Sequence, residues 1–240
     1  SGAILKDMGE RRLKDLIRPE RLFQVVAADL PQDFSPLKTL DAYRHNLPVQ
    51  LTSFVGREKE IAEAKKLVGE KRLVTLTGSG GTGKTRLSLQ VGADVLDIFE
   101  DGVWFVELAS VSDPALVAHA VAAVLGVRED QGKPLVDALQ DYLRAKSLLL
   151  ILDNCEHLIE SCARLADTLL RSSPGLKIIA SSREALGIAG ETSFHVPSLS
   201  LPDVHRLPTV EGLTQFDAVR LFIDRAVSVK SDFQVTNANA

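Results

Sequence analysis

Eight consecutive residues in the first half of the chain carry the clearest chemistry. These residues are Gly78, Ser79, Gly80, Gly81, Thr82, Gly83, Lys84 and Thr85. They fit the pattern G-x-x-x-x-G-K-[ST], in which the glycines allow the backbone to wrap around phosphates with its N–H groups pointing inward. Lys84 can then reach the β- and γ-phosphates, while the Thr85 hydroxyl can hold Mg²⁺. The pattern predicts a site for a nucleoside triphosphate, which the next residue, Arg86, is also expected to contact.

The sequence on both sides of this segment favours a phosphate site over a glycine-rich turn that matches by chance. Residues 72–77 are typical of a buried strand, and residues 86–91 of the first turns of a helix. This motif binds phosphate between a strand and a helix, and the helix amino terminus adds a partial positive charge. We therefore interpret the segment as a phosphate-binding loop, or P-loop.

Asp153 is the candidate for the carboxylate that a Mg²⁺ site needs. It follows the apolar run 148–152, which is typical of a buried strand, and we expect this strand to neighbour the P-loop strand. From the strand end its carboxylate can hold Mg²⁺ through water, opposite Thr85. The alternative is a carboxylate that only caps the helix that follows.

Hydrolysis also needs a group that positions or deprotonates the attacking water. Asn154, directly after Asp153, cannot act as a base. Glu156 is the fallback acid, although its alternative role is to stabilise the first turn of a helix. We therefore expect slow turnover.

Arg183 is the candidate sensor of the γ-phosphate. It follows the predicted strand 176–180, so its guanidinium can face the last phosphate and respond to its presence. The alternative is an ion pair with Glu184 or Glu191.

Alternating strands and helices must position these groups. Predicted strands cover residues 72–77, 103–108, 147–152, 176–180 and 192–196. Predicted helices cover residues 58–68, 86–96, 114–125, 134–144, 156–171 and 215–229, with Asp113 and Gly126 as the caps of the third. This alternation predicts an α/β fold, a P-loop NTPase with a doubly wound five-stranded parallel sheet and helices on both faces. Ligands of such sheets bind beyond the carboxyl ends of the strands.

Charge and composition narrow the classes of partner. The net charge is −4 and no basic run is sustained, so we expect no direct DNA binding by this segment. The longest aliphatic run, 148–152, is far shorter than the ~20 residues that span a bilayer, and no signal peptide is visible. We therefore expect a cytoplasmic protein without membrane contact. Cys155 and Cys162, if both lie on a helix, stand too far apart for a disulfide.

Composition shifts divide the chain into segments. We expect an amino-terminal extension over 1–28, a linker over 29–50 and the nucleotide-binding domain over 51–200. A proline-rich connector over 201–213 and the first helix of a further helical domain over 214–240 complete the chain.

Five motifs in order give the chain a family resemblance over roughly 51–230. They are the segments 54–58 (FVGRE), 78–85 (the P-loop), 150–157 (LILDNCEH), 179–186 (IASSREAL) and 216–222 (FDAVRLF). Together they resemble the nucleotide-binding domain of STAND-class signalling ATPases, in the NB-ARC-like branch found in large bacterial regulators.

The resemblance implies several roles. It places Val55 and Arg57 near the adenine base and makes Arg183 the phosphate sensor. In the family, bound ADP holds a closed form, and exchange for ATP opens it and often permits homo-oligomerisation. The family's helical and winged-helix domains are expected as downstream partners.

The amino-terminal extension has a second resemblance. Residues 9–16 and 19–25 look like the last strands of a class III nucleotide cyclase domain, without the carboxylates that bind its metal ions. A short amphipathic hairpin packed on the ATPase is the alternative interpretation.

These observations predict a function in regulation. We expect an ATP/ADP-binding switch domain with slow Mg²⁺-dependent ATP hydrolysis, in a bacterial signal-transduction or transcription regulator. The alternatives are a nucleotide-locked scaffold that does not hydrolyse ATP, and an efficient ATPase that drives conformational work.

Overall fold

The computed structural model describes residues 3–11, 20–27, 30–31, 43–50, 52, 54–129, 132–203 and 209–236. Near the amino terminus, strands β1 (Ile4–Arg11) and β2 (Glu20–Val26) pair antiparallel. Their apolar side chains, among them Ile4 and Phe23, are largely exposed. The described part of the 1–28 extension is therefore a hairpin, and its resemblance to a cyclase end stays a prediction.

The rest of the described chain alternates strands and helices. The strands are β3 (Leu73–Thr77), β4 (Val103–Glu107), β5 (Leu148–Asp153), β6 (Leu176–Ser182) and β7 (Glu191–His195). The helices are α1 (Glu58–Glu70), α2 (Lys84–Asp94), α3 (Val117–Leu125), α4 (Leu135–Leu143), α5 (Ile159–Ser172), α6 (Val210–Leu213) and α7 (Asp217–Val229). The five strands β3 to β7 form one sheet in the order β4-β5-β6-β3-β7, and every pairing in it is parallel. The predicted α/β fold is confirmed.

Strand β5 shows why the sheet carries helices on both faces. All of its residues are buried, so it reads as a continuous apolar run. Leu148, Leu150 and Leu152 face the core formed with α3, α4 and α5. Leu149 and Ile151 face the opposite core, formed with α1 and α2. Because side chains alternate along a strand, a doubly buried strand must be apolar at both sets of positions.

The strand order corrects one expectation about the site. Asp153 ends β5, and β5 was expected to neighbour the P-loop strand β3. The structure instead places β6 between them, since β6 pairs with both β3 and β5. The order of the strands in the sequence does not reveal this insertion, because a crossover helix can connect two strands that are not neighbours in the sheet.

Two predicted helices begin later than their sequence suggests. Residues Pro114–Leu116 and Cys155–His157 are short 3-10 turns that precede α3 and α5. The predicted caps of the first are confirmed, since the Asp113 side chain accepts from the Ala115 N–H and Gly126 ends α3 at φ 70°.

The cysteine pair differs from its expected arrangement, because Cys155 lies in a 3-10 turn and not on α5. Cys155 and Cys162 are both buried free thiols. The hydrogen bond that Cys155 shares with Cys162, together with burial, holds the pKa of Cys155 well above its usual value. The large separation was expected only if both cysteines lay on one helix, and this condition is not met.

Part of the 29–50 segment packs along the sheet. His45 forms a parallel bridge with Val103, and the Asn46 side chain bonds to both the N–H and the carbonyl of Phe105. Gly102 permits this approach, since a Cβ there would stand 2.1 Å from the Arg44 carbonyl oxygen. None of the helices within the described ranges is long and apolar enough to cross a membrane.

Candidate functional site

The P-loop joins β3 to α2 at the carboxyl edge of the sheet. Gly78, Gly81 and Gly83 adopt φ values of 146°, 79° and 85°, which side chains with a Cβ disfavour. At Gly78 a Cβ would also come within 2.8 Å of the Val196 carbonyl oxygen. Helix α2 begins at Lys84, so its first N–H groups face the loop. The backbone therefore forms the anion cradle that the motif predicts.

Lys84 lies inside this cradle. Its side chain is buried, and its Nζ donates to the carbonyl oxygens of Gly78 at 2.9 Å and Ser79 at 3.0 Å. No carboxylate neutralises this ammonium among the ion pairs of the described residues. A desolvated cation held by neutral carbonyls is suited to an anionic ligand.

The two predicted metal ligands meet at the same edge. The Thr85 hydroxyl donates to the Asp153 carboxylate, with oxygen separations of 2.8 and 2.9 Å. Ser181 on the intervening strand β6 also donates to Asp153, and it accepts from the Asn154 N–H at 3.0 Å. Asp153 is 3% exposed. A hydroxyl and a carboxylate side by side are the oxygen ligands that Mg²⁺ prefers, so the donor set fits the predicted ion.

Arg183 and Glu156 form an ion pair beside this edge. The Arg183 Nε lies 3.5 Å from Glu156 Oε1, and the Arg183 side chain is 71% exposed. This partner differs from Glu184 and Glu191, which the alternative interpretation of Arg183 named. Glu191 instead accepts from the N–H groups of Leu186 and Gly187. The second oxygen of Glu156 is buried without a hydrogen-bond partner in the described part of the chain.

Arg57 connects the P-loop to the segment that follows β7. It is 6% exposed, and its Nη2 donates at 2.7 Å to the carbonyl oxygens of both Thr82 and Pro197. Its Nη1 is buried and has no partner within the described ranges. Arg57 therefore holds two walls of one cavity together and keeps one donor available there.

That cavity has a volume of about 390 Å³, within the usual range for a small-molecule site. It is lined by Phe54, Val55, Arg57, Ser79, Gly80, Gly81, Thr82, Gly83, Arg86, Ser198, Leu199, Leu201, Ala218 and Leu221. The sequence predicted the loop residues, Val55, Arg57 and Arg86. It missed the last five, which are small or apolar residues of the segment after β7 and of α7. Ala218 and Leu221 lie in the 216–222 motif, but no role at the site was predicted for them.

Arg86 forms part of the cavity wall on the side of the entry segment. Its guanidinium donates to the Thr52 carbonyl at 2.7 Å and to the Thr52 hydroxyl at 2.8 Å, and lies 5.6 Å from the centre of the Phe54 ring. Burial, followed by the charge of Arg225 on α7, lowers the pKa of Arg86. Arg86 therefore organises the entry segment as well as lining the cavity.

Helix α7 is attached to this wall at its first turn. The Asp217 N–H donates to the Ser200 hydroxyl at 2.8 Å, and the Ala218 N–H to the Ser200 carbonyl at 3.2 Å. Gly56 packs against the same point, since a Cβ there would come within 2.7 Å of Asp217 Cγ. No residue of α7 is buried. The helix therefore covers the cavity through a few local contacts.

Comparison with known proteins agrees with this geometry. Residues 66–184 match the model of a family described as AAA domain. Residues 66–184 are thus similar to an AAA domain, and the parallel sheet with its loop has the fold of a P-loop NTPase.

Two relatives and one solved structure give the wider context. The chain is 42% identical over 192 residues to an uncharacterized protein of Mycobacterium tuberculosis, covering 80% of this chain and 46% of that protein. It is 39% identical over 176 residues to a second M. tuberculosis protein, provisionally named an HTH-type transcriptional regulator, covering 73% and 18%. Cdc6p from Pyrobaculum aerophilum matches with a TM-score of 0.49 at 16% identity, covering 76% and 52%. The chain thus spans about half or less of the relatives it matches.

Proposed function

We propose that this domain is an ATP/ADP-binding switch with slow Mg²⁺-dependent ATP hydrolysis, in a signalling ATPase of the STAND class. One observation carries the proposal. The Thr85 hydroxyl contacts both oxygens of the buried Asp153 carboxylate, immediately beside a buried Lys84. Phosphate, metal ion and the Lys84 ammonium would then share one site that is largely shielded from solvent.

We call the P-loop, together with the ends of β5 and β6, the phosphate end of the site. Its residues already lie close together, and each can be given a role. Backbone N–H groups of the loop and the Lys84 ammonium would bind the β- and γ-phosphates. Thr85 and Asp153 would hold Mg²⁺, which when bound neutralises negative charge on the phosphates. Ser181 fixes the orientation of Asp153 through its hydrogen bond.

The base end supports an adenine nucleotide. Val55, Leu199 and Leu221 give it apolar walls, and Arg57 keeps an unpaired buried donor there. An adenine ring fits both features. Its faces can pack against the apolar walls, and a nitrogen on its edge can accept a hydrogen bond from Arg57.

The ion pair of Arg183 and Glu156 supports a switch. The pair is 3.5 Å long and its Arg183 side chain is largely exposed, so it contributes about 1 kcal/mol and a γ-phosphate can compete for Arg183. A shift from 1:99 to 99:1 between two states needs roughly 5.5 kcal/mol of differential binding. Arg183 and Lys84, which both meet the γ-phosphate in this proposal, would supply part of it.

The regulatory context is an inference from relatives. One of them is provisionally named an HTH-type transcriptional regulator and is much longer than this chain. We infer that the domain works within a multidomain bacterial regulator, with helical and winged-helix domains downstream and a cyclase-like domain upstream. ATP-dependent homo-oligomerisation would then transmit the switch.

Identification of the bound nucleotide tests the proposal. The purified protein is denatured and the released nucleotide is separated by chromatography, and titration calorimetry then measures ATP and ADP with and without Mg²⁺. We expect adenine nucleotide, tighter ATP binding with Mg²⁺, and slow phosphate release. Arg183→Ala should reduce the preference for ATP over ADP while ADP affinity is retained. An absence of binding heat for both nucleotides would contradict the proposal.

A nucleotide-locked scaffold is the second candidate, and Asn154 favours it. The residue directly after Asp153 is an amide in a left-handed turn, φ 64°, so it supplies no base. Nucleotide that stays bound through purification without any phosphate release would favour the scaffold. Fast steady-state release that Lys84→Ala abolishes would instead favour an ATPase that drives conformational work.

A further inference from the structure

The proposed hydrolysis lacks a group that activates water, and the structure offers one outside every motif of the sequence. Glu107 is the last residue of β4, and its Cα partner on β5 is Asp153. Both residues therefore end neighbouring parallel strands at the edge where the P-loop lies.

The side chains of Glu107 and Asp153 also share one face of the sheet. On β4, Val106 faces the core of α3 to α5, and so does Leu108 just beyond the strand, while Val103 and Phe105 face the core of α1 and α2. Glu107 therefore projects toward the α2 side. On β5, Leu152 faces α3 to α5, so Asp153 projects toward α2, as its contact with Thr85 requires. Alternation along both strands gives the same result.

We propose that Glu107 is the catalytic residue that accepts a proton from the attacking water, an inference that rests on the proposed ATP hydrolysis. The water oxygen bonds to the γ-phosphorus as the bond from this phosphorus to the bridging oxygen breaks. The bridging oxygen leaves with the electron pair as part of ADP. The water proton passes to the Glu107 carboxylate and then to solvent.

The hydrogen bonds of the two carboxylates separate their roles. Asp153 is buried and accepts from the hydroxyls of Thr85 and Ser181, so its carboxylate is held in one position. Glu107 is exposed, and no hydrogen bond or ion pair of its carboxylate is found within the described ranges. Adjacent strands lie about 4.8 Å apart, so a water can sit within reach of Glu107 next to the metal site. Asp153 is placed to hold the ion, and Glu107 to act on the water.

The backbone beneath Glu107 is fixed, which a catalytic group needs. Directly after the strand, the Leu108 N–H donates to the Asp153 carbonyl oxygen at 3.0 Å, and Leu108 is fully buried. Glu107 therefore keeps its position relative to Asp153 while its side chain stays accessible.

Glu156 is the rival acid, and its surroundings favour another role. It lies three residues beyond Asp153 in the 3-10 turn and pairs with Arg183 at 3.5 Å. An acid that holds the sensor arginine is engaged in the ground state. Glu107 has no such competing cation within the described residues.

The experiment compares Glu107→Gln with two matched variants. Glu156→Gln tests the rival acid, and Glu100→Gln removes an exposed acid at the opposite, amino end of the same strand. Single-turnover hydrolysis of ATP with Mg²⁺ is measured for each protein. We expect Glu107→Gln to slow the chemical step by about 100-fold or more, and Glu107→Asp to restore part of the rate. Glu100→Gln should react at the wild-type rate.

A second readout does not depend on hydrolysis. Calorimetry should show that Glu107→Gln binds ATP with Mg²⁺ within about twofold of wild type, as expected for a group that acts on water and not on binding. Chromatography of the bound nucleotide after incubation with ATP should find ATP retained in this variant and ADP in wild type. The urea midpoint of the unliganded variant should be no lower than that of wild type, because removal of one of two adjacent carboxylates relieves like-charge repulsion.

The outcomes separate the two proposals. If wild type hydrolyses ATP and Glu107→Gln does so at the same rate, Glu107 is not the catalytic residue and the proposed function stands. If Glu156→Gln alone stops hydrolysis, the rival acid replaces Glu107. If wild type binds ATP but does not hydrolyse it at all, both the proposed hydrolysis and this inference fail.

Discussion

The phosphate end and the base end of the proposed nucleotide site are built in different ways. The phosphate end consists of the P-loop and the ends of β5 and β6, and its polar groups rest on strands that are buried on both faces. The base end consists of the entry segment, the connector after β7 and helix α7. Its walls include Leu201, which is 69% exposed, and a helix without a buried residue.

This difference indicates where a switch can operate. Moving the phosphate end would disrupt two hydrophobic cores, so it is expected to stay fixed. The base end depends on a few contacts, chiefly Arg57 with Pro197, Asp217 with Ser200, and Gly56 against Asp217. Segments held by few contacts open at low free-energy cost. Nucleotide exchange would therefore move the connector and α7 over a rigid loop.

The same substitution at the two ends should have very different effects on stability. Leu150→Ala removes a fully buried side chain beneath the phosphate end and should lower the free energy of unfolding by about 3–5 kcal/mol. Leu201→Ala at the base end should change it by less than about 0.5 kcal/mol. Urea unfolding of both variants measures the contrast, and equal losses would contradict it.

Lys84→Ala should damage the phosphate end alone. The loss of a buried charge-assisted contact should weaken ATP binding by about 100-fold, or roughly 3 kcal/mol, and leave adenosine binding unchanged. Titration calorimetry with ATP and with adenosine separates the two. Lys59→Ala, an exposed lysine on α1, is the control and should bind both ligands as wild type does. An equal loss for ATP and adenosine would mean that the two ends are not independent.

Gly56→Ala should damage the base end alone. Gly56 has φ 72°, and a Cβ would stand 2.7 Å from Asp217 Cγ, so the Asp217 side chain or the start of α7 must shift. We expect ATP affinity to fall by about tenfold, or 1–2 kcal/mol, while pyrophosphate affinity is unchanged.

A glycine on α1 supplies the control for that variant. Gly69→Ala has no neighbour within 4 Å of the new Cβ and should preserve ATP affinity while it raises stability slightly. Wild-type ATP affinity in Gly56→Ala would show that α7 does not form the base wall.

Asp101→Asn at the amino edge should affect stability but not binding. The hydrogen bond from Lys146 lowers the pKa of Asp101, which also accepts from the Ser147 N–H at 2.9 Å. We expect a loss of about 1 kcal/mol at pH 7. Because the pKa of Asp101 is lower in the folded state, its ionised carboxylate stabilises the fold at pH values above the unfolded-state pKa of about 4. This contribution disappears as the pH falls through the lower folded-state pKa.

Urea unfolding at neutral and acidic pH tests the direction. The difference between wild type and Asp101→Asn should shrink as the solution is acidified, with ATP affinity unchanged throughout. A difference that grows on acidification would contradict the assignment.

The fold and the phosphate end were largely predictable from local patterns. An apolar run such as residues 148–152 specifies a strand that is buried on both faces. The glycines of the P-loop motif specify a backbone conformation that glycine adopts more readily than other residues. The base end was only partly predictable. Leu199, Leu201 and Leu221 are ordinary apolar residues, and no periodicity distinguishes a cavity wall from a core position.

The sequence by itself determined the α/β class of the fold and the glycine-rich loop between β3 and α2, and it predicted Lys84 and Asp153 as the chemical groups of the site, because these depend on residue types at short spacing. Only the tertiary structure decided the strand order, which inserts β6 between β3 and β5 and sets Glu107 beside Asp153. It also decided that Arg183 pairs with Glu156 and that Arg57 joins the loop to the connector. These contacts join residues far apart in the chain, and their partners are selected by packing in three dimensions, which no local pattern encodes.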